Sequence, residues 1–305
     1  MSGRFGNLLT AMVTPFDASG KLDLPTAEKL AVWLSENGSD GLVVSGSTGE
    51  AATLSDEEKY ELWRAVVGAT AGKTKVVAGT GTYDTAHSEH LTKTAEKAGV
   101  DGVLVVTPYY NRPPQAGLIA HFKAIAASTD MPVILYDIPI RSGIKMEHAT
   151  IMELAGVSNI VGVKDACSDA QGAARIVAQA PDGFELYSGN DGDTLPWLAV
   201  GAVGLISTSA HVAGPEIAKM IRLHQEGDLA GARKIHLSLM PVFDIMGLTT
   251  NPIPLKAAME IIGHPVGDPR LPLVPATPDQ KAKIRAALEG ADISAFDLMG
   301  SASNG

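Results

Sequence analysis

The sequence predicts a closed (β/α)₈ barrel, and three observations carry that prediction. Eight short apolar, β-branched runs recur along the chain up to about residue 208. Their near-continuous hydrophobicity suits parallel strands covered by helices, whereas half-exposed antiparallel strands alternate more clearly. The intervals between the runs carry helix signals, and strands alternating with helices are the pattern of an α/β barrel. Finally, MVTPFDASG, after the first run, lacks the glycine-rich fingerprint of a doubly wound dinucleotide-binding sheet. At 305 residues and 45% hydrophobic content, the chain can bury one barrel-sized core.

The runs are LLTAMVTPF from Leu8, GLVVSG from Gly41, KVVAGTG from Lys75 and GVLVVTP from Gly102, then PVILYDIP from Pro132, IVGVKDA from Ile160, ELYSG from Glu185 and GLIST from Gly204. After the second, Ser55-Asp56-Glu57-Glu58 has capping-box spacing, and the helix it opens runs through Leu62, Val66 and Val67. Residues 86–98 and 117–127 are also helix-compatible, and Lys97-Ala98-Gly99 turns the chain toward the next strand. Beyond Gly214 the strand signal stops and helical stretches follow at 216–226, 229–246 and 254–262. The expected division is a barrel over residues 1–225, a helical extension packed on it over 226–300, and a mobile polar tail at 301–305.

A net charge of -10 with scattered basic residues argues against nucleic acid as a partner. With no signal-like start and no apolar run near membrane-spanning length, a soluble cytoplasmic protein that does not engage a membrane is expected. Cys167 is the only cysteine, so no internal disulfide forms, and it reads as a packing residue. His87 and His90 share a helix face without a third ligand nearby in sequence, so surface positions and no metal are expected.

In such barrels the reactive groups stand where strands end. Lys164 is near the end of the sixth run, and strand alternation puts it on the side of Gly162, opposite Val161 and Val163. Facing inward, its amine is desolvated, loses its proton more easily and can attack a carbonyl. Spacing alone leaves open that it snorkels to the rim. Tyr136, ending the fifth run, is placed for proton transfer or for core packing. Gly46-Ser47-Thr48-Gly49-Glu50 can form a carboxylate nest or a plain strand-to-helix turn, and Arg141 can bind a carboxylate or simply a surface group.

Together, GSTGE at Gly46, VTPYYNRPPQ at Val106, YDIPIRSG at Tyr136, GVKDA at Gly162, YSGND at Tyr187 and NPIPLK at Asn251 resemble the dihydrodipicolinate synthase and N-acetylneuraminate lyase superfamily over nearly the whole chain. The resemblance is strongest to its synthase branch. It implies that pyruvate forms an imine with Lys164, needing no other cofactor, and condenses with L-aspartate-4-semialdehyde to 4-hydroxy-tetrahydrodipicolinate, in diaminopimelate and lysine biosynthesis. It further implies Tyr136 as the central proton-transfer residue, with Thr48 hydrogen-bonded to it and Tyr110 reaching in from a neighbouring subunit of a homotetramer built as a dimer of dimers. Ser47 and Thr48 hold the pyruvate carboxylate, Arg141 the semialdehyde carboxylate, and Ile206, Gly189 and Asn251 complete the substrate-binding set.

Two rival readings are an aldolase cleaving a 2-keto-3-deoxy sugar acid or N-acetylneuraminate, and a non-catalytic carboxylate-binding barrel. Arg141 argues against the first, and the co-occurrence of Lys164, Tyr136, Thr48 and Tyr110 against the second. The chain departs from the synthase pattern with Ser47 in place of threonine and Ile140 in place of glycine. At the site where lysine inhibits some synthases it has Tyr83, His87, Asp56 and Lys59, and these imply weak or absent inhibition.

Overall fold

The computed structural model describes residues 3–291 and 293–294. Eight parallel strands close into a barrel in sequence order: β1 (Leu8–Ala11), β2 (Gly41–Val44), β3 (Lys75–Gly79), β4 (Gly102–Val106), β5 (Val133–Asp137), β6 (Ile160–Asp165), β7 (Glu185–Ser188) and β8 (Gly204–Ser207). All eight apolar runs become strands. The barrel closes where Leu9 of β1 pairs with Ile206 of β8.

Alternation sorts the strand residues into two cores. Leu9, Val43, Val77, Leu104, Ile134 and Ile206 point inward and fill the barrel. Leu8, Leu42, Val76, Val103, Leu135 and Leu205 point outward and pack with apolar faces such as that of Leu24–Glu36. The inner layer tolerates no bulk at Gly162, where an added Cβ would collide with the carbonyl oxygen of Glu185 on β7.

One expected orientation is corrected on β6. Val161 belongs to the inner cluster, while Val163 faces the helices. The β5–β6 register shifts between Val133 and Ile134, and such an irregularity reverses side-chain parity on one side of it. Beyond the shift, Gly162 pairs with Ile134 and Lys164 with Tyr136, so the inward direction of Lys164 survives.

The capping box of Asp56–Thr70 forms between Ser55 and Glu58, and Gly99 ends Thr85–Ala98 with a left-handed φ of 83°. The eighth barrel helix, Ala210–Gln225, starts ahead of the expected 216, because Pro215 lies in its early turns and the chain is non-helical only at Ala213. The extension supplies Leu229–Met246, Ile253–Ile261 and a further helix, Pro278–Glu289, opened by a Thr277–Gln280 capping box absent from the sequence reading. The expected tail at 301–305 lies outside the described residues.

Candidate active site

At the C-terminal end of the barrel a cavity of about 610 Å³ is lined by Ser47, Thr48, Tyr136, Arg141, Lys164, Gly189, Asp191, Thr208 and Asn251. Phe243, Met246 and Thr249 of the extension form another wall, so the site is made by both parts of the chain. A neighbouring cavity of about 330 Å³ shares Ser47, Tyr136, Arg141 and Asn251 with it and reaches Glu50 and Tyr109.

Lys164 and Tyr136 are register partners on adjacent strands, and the Lys164 Nζ lies 4.5 Å from the centre of the tyrosine ring. Burial, opposed by Asp191 and aided to a smaller extent by the Arg141 charge, brings the amine down to about 8. Burial also pushes the Tyr136 phenol up to about 12, against the Arg141 charge and a hydrogen bond with the Ser47 side chain. The phenol is therefore protonated at neutral pH, and a useful fraction of the lysine is free amine.

The two hydroxyls of the turn after β2 have different neighbours. The Ser47 side chain neighbours the Tyr136 phenol and favours its ionised form. The Thr48 Oγ1 instead accepts from Asn251 Nδ2 at 2.8 Å and lies 3.4 Å from the Thr208 Oγ1. Ser45 and Glu50, both left-handed, bracket the turn, and the Trp63 indole donates to Ser45 Oγ at 2.8 Å.

Arg141 sits on the one-turn helix Pro139–Ser142 directly after β5, and its guanidinium donates to the Asn251 carbonyl at 3.1 Å. That bond uses one of five donors and aims an exposed cation at the cavity mouth. Asn251 thus touches both the hydroxyl of Thr48 and the guanidinium of Arg141.

A buried, partly deprotonated amine beside a buried phenol, with hydroxyls and a guanidinium around one cavity, is equipped for imine chemistry on a carboxylated carbonyl compound. The sequence profile of the Dihydrodipicolinate synthetase family matches residues 4–291. The chain belongs to that family. It is 52% identical over 286 residues to the 4-hydroxy-tetrahydrodipicolinate synthase of Moorella thermoacetica, covering 94% of this chain and 98% of that one. Among solved structures it resembles the synthase from Cyanidioschyzon merolae with lysine bound, at 44% identity and a TM-score of 0.93, covering 95% of this chain and 99% of that one. It also resembles the chloride-inhibited synthase from Acinetobacter baumannii complexed with pyruvate, at 34% identity and a TM-score of 0.92, covering 95% of this chain and 99% of that one.

Within this family member, the sequence reading missed Asp191. Its half-buried carboxylate accepts from the Ser207 hydroxyl and, at 3.4 Å, from the backbone N–H groups of Thr208 and Ser209. Burial raises its proton affinity, and these bonds together with Lys164 act against that rise. The signal was available, because Asp191 ends the YSGND segment just beyond β7. His211 supports the same corner: its Nε2 accepts from the Val13 N–H at 3.1 Å and its Nδ1 donates to the Thr208 carbonyl at 2.9 Å, a neutral imidazole that burial holds down to about 4.

Gly189 lines the cavity, and a Cβ there would stand 2.8 Å from that of Ala166. Ile206 packs inside the barrel, with Thr208 forming the lining beyond it. Tyr110 is not brought to Lys164 within one chain: it is 93% exposed, with a left-handed φ of 74°, beside Tyr109, whose ring meets Tyr83 edge-on at 5.4 Å. Cys167 is half-buried and donates to Asp137 Oδ2 at 3.3 Å; burial and the Asp137 and Asp165 carboxylates push its thiol well up, so it is no thiolate nucleophile. His87 and His90 face Asp56 at 3.0 and 3.9 Å. Among the described residues no cluster of three or more His, Cys, Asp or Glu side chains is arranged to hold a metal.

Proposed function

We propose that this chain condenses pyruvate with L-aspartate-4-semialdehyde, forming 4-hydroxy-tetrahydrodipicolinate in diaminopimelate and lysine biosynthesis. The observation that carries the reading is the buried Lys164 amine beside the Tyr136 phenol at the end of a cavity whose mouth carries Arg141. The neutral Nζ attacks the pyruvate keto carbon, and loss of water leaves an iminium ion. Loss of a methyl proton gives the enamine, whose terminal carbon bonds to the aldehyde carbon while the aldehyde oxygen takes up a proton. The amino group of the second substrate then attacks the imine carbon, closing the ring and expelling Lys164 as free amine. No other cofactor enters these steps.

In this scheme Tyr136 carries protons to and from the carbinolamine, with Ser47 orienting its hydroxyl. Ser47 and Thr48 receive the pyruvate carboxylate, and Asn251 fixes the Thr48 hydroxyl. Arg141 takes the semialdehyde carboxylate bidentately, a geometry that matches a carboxylate better than a polyhydroxyl chain. Gly189 and the Ile206 carbonyl complete the pocket. The exposure of Tyr110 suits a residue completing the relay in a second copy, within a homotetramer assembled as a dimer of dimers. Among the described residues no helix is long and apolar enough to cross a membrane; the cytoplasm is assigned from the family resemblance.

Incubation with pyruvate, reduction with borohydride and peptide mapping tests the covalent step, and an unmodified Lys164 overturns it. Turnover of pyruvate with aspartate semialdehyde, against cleavage of N-acetylneuraminate and 2-keto-3-deoxy sugar acids, tests the substrate. Faster cleavage of either would replace the condensation with the aldolase reading.

A further inference from the structure

The turn that carries Ser47 and Thr48 ends at Glu50, whose backbone is left-handed with φ 54° although it is not glycine. A non-glycine residue holds that conformation only where its surroundings hold it. The Glu50 carboxylate, 2% exposed, lies 2.8 Å from the Nζ of Lys256, itself 3% exposed. Its other oxygen accepts from the Arg270 N–H at 2.9 Å. Lys256 also donates to the Asp268 carbonyl at 3.1 Å and lies 4.4 Å from the centre of the Phe16 ring.

Arg270 reinforces the same junction. Its guanidinium stacks 4.2 Å from the Phe16 ring centre, pairs with Glu58 at 2.5 Å and donates to the Thr53 carbonyl at 2.8 Å. Residues 50–58 are therefore tied at several points to residues 256–270. A buried ion pair is a poor device for stability alone, since apolar residues of similar size often do as well or better. It does impose direction, because each charge is satisfied in one arrangement only. Lys256 stands five residues after Asn251, which already holds the Thr48 hydroxyl.

We infer that the buried Glu50–Lys256 pair is a positioning strut, through which the C-terminal extension sets the Ser47–Thr48 turn at the place where it receives the keto-acid carboxylate. The inference rests on the Schiff-base reading given under Proposed function. Neither residue touches the reacting atoms. Disturbing the pair therefore weakens capture of the keto acid while leaving the chemistry of the amine intact.

The test is borohydride trapping of pyruvate by the full chain, with Glu50→Gln, Lys256→Met and the double variant. The double variant removes both charges, so it leaves no uncompensated buried ion and keeps the fold if either single change loses it. The expected result is a pyruvate concentration for half-maximal trapping raised at least about fivefold, with the saturated rate and its pH dependence retained. A folded double variant with half-saturation within about twofold of wild type overturns the strut.

Hydrogen exchange on the wild-type chain gives a readout independent of variant folding. Pyruvate slows amide exchange in 46–53 and in 253–270 together if the two segments are coupled, and protection confined to 46–53 overturns the inference. A wild-type chain that traps no pyruvate overturns the Schiff-base reading itself, an outcome distinct from normal trapping with an unaffected double variant.

Discussion

Lys164 and Tyr136 face each other across the β5–β6 pairing, with the lysine Nζ 4.5 Å from the ring centre. Their relation is set by strand register, and not by a loop that must close. The ring face favours the ammonium form, whereas burial disfavours it, and burial prevails, leaving the amine at about 8.

The rate of pyruvate trapping follows from that balance. Only the neutral amine attacks, so the rate rises as pH increases through about 8 and then levels off. A lysine with its ordinary value would still be gaining neutral fraction above pH 9 or so. Between about 8 and 10.5 the folded chain holds less of this proton than the unfolded chain, so the contribution of Lys164 to stability rises with pH through that window. Lys164→Met abolishes trapping and, by removing a cation strained on the order of 3 kcal/mol, raises the neutral-pH Tm. A trapping rate flat from about pH 6.5 to 9 would contradict the assignment.

Arg141 and Asp191 pull the amine in opposite directions, which gives paired pH profiles of opposite sign. Arg141 lowers the Lys164 value and Asp191 raises it. Arg141→Met therefore moves the rising limb of trapping to higher pH, and Asp191→Asn moves it to lower pH. Arg141→Met also raises the KM for the semialdehyde about tenfold or more, the effect of losing a charge-assisted carboxylate contact. Shifts of the same sign in both variants would refute the electrostatic account.

Ser47 and Thr48 separate by kinetic parameter. Tyr136→Phe lowers kcat by about 10² to 10⁴, the range for losing a proton-transfer group. Ser47→Ala, which removes the hydroxyl that favours the ionised Tyr136, lowers kcat by a smaller factor, and Ser47→Thr restores it. Thr48→Val takes away the hydroxyl fixed by Asn251 and acts mainly on the KM for pyruvate. Steady-state kinetics with both substrates varied decides this, and a Thr48→Val effect confined to kcat would return Thr48 to the tyrosine relay.

The strands were legible because burial on both faces leaves a plain mark: eight uninterrupted apolar runs. Lys164, Tyr136 and Arg141 could be singled out because polar residues at or just beyond the ends of such runs are conspicuous. Val161 could not be oriented, since the β5–β6 register shift leaves no local signature in composition. The Asn251–Thr48 contact joins positions 203 residues apart, and no periodicity or spacing reports contacts of that range. Asp191 was overlooked because an acidic residue after a strand usually faces water, whereas here its carboxylate turns to the Ser207 hydroxyl and the Thr208 and Ser209 N–H groups.

The family resemblance places a lysine-inhibition site around Tyr83, His87, Asp56 and Lys59, and there the Asp56 carboxylate already faces cationic or imidazole nitrogens. Asp56 is 3.0 Å from the His87 Nε2, 3.9 Å from that of His90 and 3.9 Å from the Lys59 Nζ. Lys59 is buried, and burial pushes its amine down, although Asp56 counteracts part of that shift. A second ammonium arriving beside Lys59 would meet like charge and compete for a carboxylate already shared among three nitrogens. The expected outcome is turnover within about twofold of the control at millimolar L-lysine. Dose–response assays check it, and strong suppression at or below about millimolar lysine would show that Asp56 exchanges its internal partners for the ligand.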